Sequence, residues 1–163
     1  MKWSKCIWIL ALVGAVLVVL RAAWPSDERR IQKLLANLAR EASTPAQGRA
    51  LSDLAAANRV ADYFAPEFQI RVSGFGAPDV AIDDRGELVQ AVLAARGRQQ
   101  VVKIDLLDPQ MAEKGPGRAV VEATARAQVS GEREPFVAEV RFTLVKLEAR
   151  WRVQKIENAR TFE

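Results

Sequence analysis

The sequence predicts an α+β domain behind one transmembrane helix, with helices covering one face of an antiparallel sheet. Helical patterns come first along the chain and a run of strands follows, an order typical of helices segregated to one face of a sheet. Residues 118–160 alternate apolar and polar side chains with the period of two that marks half-buried strands. At the other end, fourteen residues without a charge, Ile7 to Leu20, predict the membrane helix.

The alternating region is predicted to be a meander of three long strands. The first strand begins at Ala119 and ends in a turn at Gly131–Glu134. The second strand, Phe136 to Leu147, ends in a turn at residues 148–150, and Trp151 to Ile156 forms the third. The alternation changes phase after Val153, which predicts a β-bulge or a strand end.

The polar face of the meander is rich in charge. A register with Arg126 opposite Glu139 would place Thr124 opposite Arg141 and Glu122 opposite Thr143. Two interpretations are open. Either this face is a solvated sheet surface, or a polar pocket or a dimer surface is lined by its charged residues Glu122, Arg126, Glu139 and Arg141. The small, alanine-rich side chains on the other face of the first strand suit a covering helix, which favours the solvated surface.

Charge and composition exclude several classes of function. From Pro25 onward, 24 − 3 = 21 basic residues, interspersed with 20 acidic ones, leave no basic stripe for nucleic acid. The chain has no histidine, which removes the commonest general base and imidazole metal sites. Its one cysteine, Cys6, cannot form an intrachain disulfide or a zinc cluster. We therefore predict no metal and no cofactor.

The N-terminal segment allows an uncleaved anchor or a cleaved signal. Lys2 and Lys5 precede the apolar run, and Trp3 and Trp24 bracket it. A helix over residues 3–24 would span roughly 30 Å, about one hydrocarbon core. This favours a single-pass anchor in the inner membrane with the domain outside the cytoplasm. The alternative is secretion after cleavage. The predicted domains are residues 1–25 and residues 26–163.

Capping signals delimit three helices between the anchor and the sheet. Ser26 caps the first helix, and Thr44-Pro45 starts the second, which ends near Tyr63. Asp84-Arg85-Gly86-Glu87 resembles a capping box for the third, which ends at Gly97. The second helix is predicted to bury Leu51, Leu54, Ala55, Asn58 and Ala61.

Two further strands and a core complete the prediction. One short strand covers Phe68–Val72, and another runs from Gln100 to Asp108 and ends at Pro109; Lys114–Gly117 then turns into the meander. The predicted core consists of Leu34, Leu35, Leu38, Leu51, Leu54, Phe64, Phe68, Leu88, Val92, Ile104, Phe142, Leu144, Trp151 and Val153.

This order of elements resembles the nuclear transport factor 2-like superfamily, which includes ketosteroid isomerases and SnoaL-like polyketide cyclases. The resemblance covers roughly Ser26 to Phe162. It is carried by Asp62-Tyr63-Phe64-Ala65-Pro66-Glu67-Phe68, Asp84-Arg85-Gly86-Glu87-Leu88, Phe142-Thr143-Leu144-Val145-Lys146 and Trp151-Arg152-Val153. It implies a curved antiparallel sheet wrapped around three helices, a cystatin-like α+β roll, enclosing an apolar cone.

The resemblance does not bring a complete catalytic set with it. Enzymes of this fold generally use a carboxylate, a histidine or a tyrosine, and this chain has only Tyr63 and the carboxylates Asp62 and Asp105 as candidates. Phe142 and Trp151 are further candidates for a pocket or surface. We assign no residue a catalytic, cofactor-binding or metal-binding role.

Three hypotheses follow. The leading one is a membrane-anchored, non-enzymatic binding or accessory domain for a protein partner or a small apolar ligand. The alternative is an enzyme of the isomerase, cyclase or hydrolase type acting on a small apolar molecule. It requires a carboxylate with a raised pKa inside an enclosed apolar cavity. The third is a homodimer formed through the convex sheet face.

Overall fold

The structure, a computed structural model, describes residues 26–43, 50–73, 79–97 and 102–159. These residues form three helices, α1 (Asp27–Ala42), α2 (Ala50–Ala61) and α3 (Arg85–Gly97), and six strands, β1 (Phe64–Val72), β2 (Val80–Ile82), β3 (Val102–Gly115), β4 (Arg118–Val129), β5 (Phe136–Leu147) and β6 (Arg150–Asn158). The predicted α+β class and the order of helices before the meander are confirmed.

The chain divides into two compact units, residues 1–30 and residues 31–163. In the first unit the described residues are the start of α1, where the Arg29 N–H donates to Ser26 Oγ at 3.4 Å, the predicted cap. The predicted anchor and the restart at Thr44 lie outside the described residues. Across the four described ranges, no helix has both the length and the apolar character that crossing a membrane requires.

The six strands form one curved sheet in the order β2-β1-β6-β5-β4-β3. All neighbouring strands are antiparallel except β1 and β6, which are parallel. The prediction of a purely antiparallel sheet was wrong at this one pair. Because α3 and four strands separate β1 from β6 along the chain, the connection is long enough for a parallel partner. Strand β2 was not predicted because three residues are too short to show alternation.

Strand β3 runs through Pro109, where the sequence predicted its end. It is the edge strand of the sheet, and its register with β4 shifts between Leu107 and Gln110. Proline has no N–H to donate, so it is tolerated at edges and bulges. The adjoining Asp108, with a φ of 48°, takes up the irregularity.

The predicted register of the meander was wrong by two residues. Glu122 lies opposite Arg141, and Thr124 lies opposite Glu139. Pairing stops at Ala127 and Phe136, so the connection is longer than the four-residue turn that we predicted. A slide of two residues leaves every side chain on its predicted face, because the side-chain period of a strand is two.

Two other features of the meander are confirmed. The β3–β4 turn has Pro116 followed by Gly117, whose φ is +80°, a conformation that suits glycine. In β6 the register shifts so that Leu144 faces Val153 and Thr143 faces Lys155, which is the bulge expected after Val153.

The core lies between the helices and the inner face of the sheet. It contains Ile31, Leu35, Leu38, Val60, Ala61, Phe64, Phe68, Ile70, Leu88, Ala119, Val121, Ala123, Val140, Phe142, Leu144, Trp151 and Val153, with Leu34, Val92 and Ile104 only partly buried.

The predicted buried stripe of α2 was mostly wrong. Leu51 is 84% exposed and Leu54 is 44% exposed, and Asn58 is exposed with its amide donating to the Leu54 carbonyl at 3.0 Å. The buried face instead follows Ala56, Ala57, Val60 and Ala61. Asp53 shares that face at helical spacing, and its ion pair with Arg96 holds this side of α2 inward.

Candidate functional site

A cleft of about 830 Å³ opens beside the β5–β6 turn, where the connection from α2 to β1 meets the start of α3. Six apolar residues and five charged residues line it: Ala61, Phe64, Ala65, Pro66, Phe68 and Leu147, and Asp62, Arg85, Glu148, Arg150 and Arg152. The cleft therefore combines an apolar floor with charged side chains, three of them arginines.

The apolar floor comes from the irregular first half of β1. The rings of Phe64 and Phe68 lie 4.9 Å apart between centroids, with their planes inclined at 51°. The register of β1 with β6 shifts between Phe64 and Gln69, and Pro66, which cannot donate a ladder hydrogen bond, lies inside that interval. Both phenylalanines are buried, at 7% and 4% exposure, so they form a fixed surface.

Asp62 and Arg85 form an exposed ion pair in the cleft. Arg85 Nη2 donates to Asp62 Oδ1 at 2.7 Å, and the side chains are 51% and 65% exposed. Arg85 is the first residue of α3, placed there by Asp84, whose Oδ1 accepts from the Gly86 N–H at 2.7 Å and the Glu87 N–H at 3.1 Å. The backbone cap that we predicted at Asp84 is thus confirmed.

Arg150 and Arg152 enter the cleft from β6. They are two residues apart on one strand, so both point to the same face, and they lie opposite Leu147 and Val145 of β5. Neither forms an ion pair or a side-chain hydrogen bond with the part of the chain that the structure describes. These two guanidinium groups are available to a ligand.

The turn beside the cleft is strained. Strands β5 and β6 are joined by two residues, Glu148 and Ala149, with φ values of 47° and 65°. Two-residue hairpin turns of this kind favour Asn-Gly because both residues need positive φ. This chain places side chains there instead, and the Glu148 carboxylate lines the cleft.

The five candidate residues from the sequence do not form one site. Asp62 lies in the cleft, and the adjacent Tyr63 is half-buried against the core, with its carbonyl accepting from the Val153 N–H at 2.9 Å. Phe142 and Trp151 are buried core residues, at 4% and 6% exposure.

Asp105 lies elsewhere, on the edge strand β3. Its carboxylate is 39% exposed and forms an ion pair with Lys103 at 3.1 Å. Asp62 and Asp105 belong to separate ion pairs, so the structure does not join them as an acid and a base.

The charged convex face of the meander contains a half-exposed ion pair. Arg141 donates from Nε at 2.9 Å and from Nη2 at 2.6 Å to one oxygen of Glu122. This hydrogen bonding raises the pKa of the Arg141 guanidinium above its ordinary value. Glu122 and Glu139 also line a shallow depression of about 170 Å³. The homodimer through this face stays a prediction.

Sequence reasoning missed the three arginines of the cleft and the buried Arg96. Arg150 and Arg152 had a usable signal, since arginines two residues apart beside a turn lie on one face. Arg96 had none, because it occupies the last turn of a helix, where a basic residue is ordinarily a solvated partner of the helix dipole.

Arg96 joins three helices near the edge of the sheet. It is 7% exposed, and its Nη2 donates to the carbonyls of Glu41 at 2.9 Å and Ser43 at 3.2 Å, while Nη1 contacts Asp53 Oδ1 at 3.5 Å. Ser43 Oγ in turn accepts from the Ile104 N–H of β3 at 3.0 Å. Within the described ranges, no group of three or more acidic or cysteine side chains is placed to hold a metal ion.

Similarity to other proteins is a similarity of fold. No protein-family model matches the sequence, and no curated protein sequence matches it. A nuclear transport factor 2-like protein of unknown function from Pseudomonas putida superposes with a TM-score of 0.63 at 9% identity, over 85% of this chain and 89% of that one.

Two further solved structures give the same result. A cystatin-like protein of unknown function from Nostoc punctiforme has a TM-score of 0.58 at 14% identity, over 83% of this chain and 93% of that one. A provisionally named scytalone dehydratase from Novosphingobium aromaticivorans also has a TM-score of 0.58, at 15% identity, over 83% and 85% of the two chains. The fold is that of nuclear transport factor 2-like proteins, as the resemblance implied.

Proposed function

We propose that this chain is a membrane-anchored binding domain without a catalytic role, presented outside the inner membrane, which binds a protein partner or a small apolar ligand. The observation that carries the proposal is the layer of apolar side chains that the described residues pack between the helices and the sheet. Ile31, Leu144 and Val153 are completely buried there. We therefore place the proposed binding site at the surface of the fold, in the 830 Å³ cleft.

The state of the candidate carboxylates supports binding over catalysis. An enzyme of this fold would need a carboxylate in an enclosed apolar cavity. Asp62 is 65% exposed and paired with Arg85, and Asp105 is 39% exposed and paired with Lys103. Neither carboxylate therefore has the enclosed apolar surroundings that the enzyme hypothesis requires.

The first test concerns catalysis. The double variant Tyr63→Phe/Asp105→Asn removes the candidate oxyanion donor and the candidate carboxylate that do not line the cleft, while preserving side-chain size; Asp62 is kept because it lines the cleft. We expect it to complement a strain that lacks the protein as well as the unaltered chain does. Failure to complement, at unchanged protein level and melting temperature, would refute the binding proposal in favour of the enzyme.

The second test concerns location. The full chain, carrying a C-terminal reporter that is active only outside the cytoplasm, should sediment with membranes after an alkaline wash and show reporter activity. The matched control lacks residues 1–25 and should be soluble and inactive. A shortened, released product would indicate a cleaved signal, and a membrane-bound full-length chain without reporter activity would refute the proposed orientation.

A further inference from the structure

We propose that the cleft binds an amphipathic anion, with a carboxylate or phosphate group between Arg150 and Arg152 and an apolar chain or ring on the Phe64–Phe68 floor. This inference rests on the proposed binding function and names the class of ligand. It is argued from the cations, the floor and the charge balance of the cleft.

The two arginines have the geometry that an anion needs. Residues two apart on a strand are separated by roughly 6.6 Å along it, so two guanidinium groups can converge on one group of oxygen atoms. Guanidinium groups donate hydrogen bonds in a fork that matches carboxylate and phosphate oxygens. No described side chain accepts a hydrogen bond from these two guanidinium groups. An external anion would satisfy them.

The floor has the properties that an apolar group needs. Phe64 and Phe68 are 7% and 4% exposed, so the small part of each ring that faces the cleft is held in place by the core. Pro66 and Leu147 extend the same apolar surface toward the β5–β6 turn. A volume of about 830 Å³ is typical of a site that encloses most of a small molecule.

The charge balance favours a ligand that bears one negative charge. Asp62 neutralises Arg85 through their 2.7 Å ion pair. That leaves Arg150 and Arg152 against Glu148, a net charge of 2 − 1 = +1. A monoanion would neutralise the cleft, whereas a cation or a neutral ligand would leave the two arginines without a counter-charge.

The test is calorimetric titration of octanoate into the full chain, reconstituted in phosphatidylcholine nanodiscs, with empty discs as the blank. Octanamide keeps the apolar chain without the charge, and acetate keeps the charge without the chain. We expect saturable octanoate binding, and binding of both other compounds weaker by on the order of tenfold or more, because each lacks one half of the recognition.

The decisive variant is Arg150→Gln/Arg152→Gln, which should weaken octanoate binding by on the order of tenfold or more at an unchanged melting temperature. Arg126→Gln is the matched control, since Arg126 lies on β4 opposite Val137 of β5 and does not line the cleft. Its affinity for octanoate should equal that of the unaltered chain. Equal binding by both variants, equal binding of octanamide, or no saturable binding of octanoate would overturn the proposal.

Octyl phosphate distinguishes the two sources of the anion. Tighter binding of octyl phosphate supports a phosphate group such as that of a lipid, and tighter binding of octanoate supports a carboxylic acid. A failure of this proposal is separate from a failure of the proposed function. Octanoate that does not bind to a correctly anchored chain rejects this ligand class alone, while an inactive reporter on the full chain rejects the proposed location outside the cytoplasm whatever octanoate does.

Discussion

Helices α2 and α3 are joined at both ends by an arginine–aspartate pair, and the two pairs differ in their surroundings. At one end, Arg85 reaches Asp62 at 2.7 Å with both side chains more than half exposed. At the other, Arg96 lies 3.5 Å from Asp53, and the side chains are only 6% and 15% exposed. The exposed pair borders the cleft, and the buried pair lies where α1, α2 and α3 meet.

Burial, and not the shorter distance, decides which pair matters for stability. An exposed pair gains little because water screens it and two flexible side chains must be ordered. A buried arginine has no water to replace a lost partner, and Arg96 also satisfies two carbonyls near the end of α1. Removing one partner of the longer, buried contact should therefore cost more stability than removing one partner of the shorter, exposed contact.

The largest expected effect comes from removing the buried arginine. Arg96→Met should lower the free energy of unfolding by roughly 3–5 kcal/mol, because Asp53 and the carbonyls of Glu41 and Ser43 lose their donor. Arg85→Met is the matched control and should cost roughly 1 kcal/mol or less. Urea denaturation of the full chain measures both. Equal losses in the two variants would contradict the role we assign to burial.

The β5–β6 turn beside the exposed pair is strained, so a substitution there should increase stability. Replacing Glu148-Ala149 by Asn-Gly should raise the free energy of unfolding by about 1–2 kcal/mol, because both positions have positive φ. Ala91→Gly in the middle of α3 is the control and should lower it by about 1 kcal/mol. A loss of stability in the Asn-Gly variant would show that the turn carries no strain.

The pair Glu122–Arg141 is 40% and 32% exposed, between the buried and the exposed pair, and tests how the contribution of an ion pair to stability depends on burial. A double-mutant cycle with Glu122→Gln and Arg141→Gln should give a coupling of roughly 0.2–1 kcal/mol.

The control cycle for that pair uses Arg126 and Glu139, which an alternative register would place opposite each other. They are not partners in the structure, where Arg126 faces Val137 and Glu139 faces Thr124, so their coupling should be near zero. A larger coupling between Arg126 and Glu139 than between Glu122 and Arg141 would contradict the register.

Much of the fold could be predicted because its signals are local. The alternation of β4 and β5 and the phase shift after Val153 identified strands, faces and a bulge. Aspartate and serine caps identified two helix starts. The register could not be predicted, since it depends on the length of the 128–135 connection and every two-residue slide preserves the faces.

The candidate site was less predictable than the fold. Asp62 was a candidate because of its residue type, and it does lie in the cleft. Asp105, Phe142 and Trp151 were candidates too, but they lie on an edge strand or in the core. Nothing in their local sequence distinguishes a pocket residue from a core residue, because that depends on how distant segments meet.

The sequence by itself determined the class of fold, the order of its elements and the inner face of the meander, because these follow from periodicity along the chain. Only the tertiary structure decided which stripe of α2 is buried, since the inward face packs small residues and an aspartate that pairs with the distant Arg96, and the larger leucines stay exposed. It also brought Arg150 and Arg152 beside Phe64 and Phe68. That meeting requires the parallel pairing of β1 with β6, which joins segments more than eighty residues apart and leaves no local pattern in the sequence.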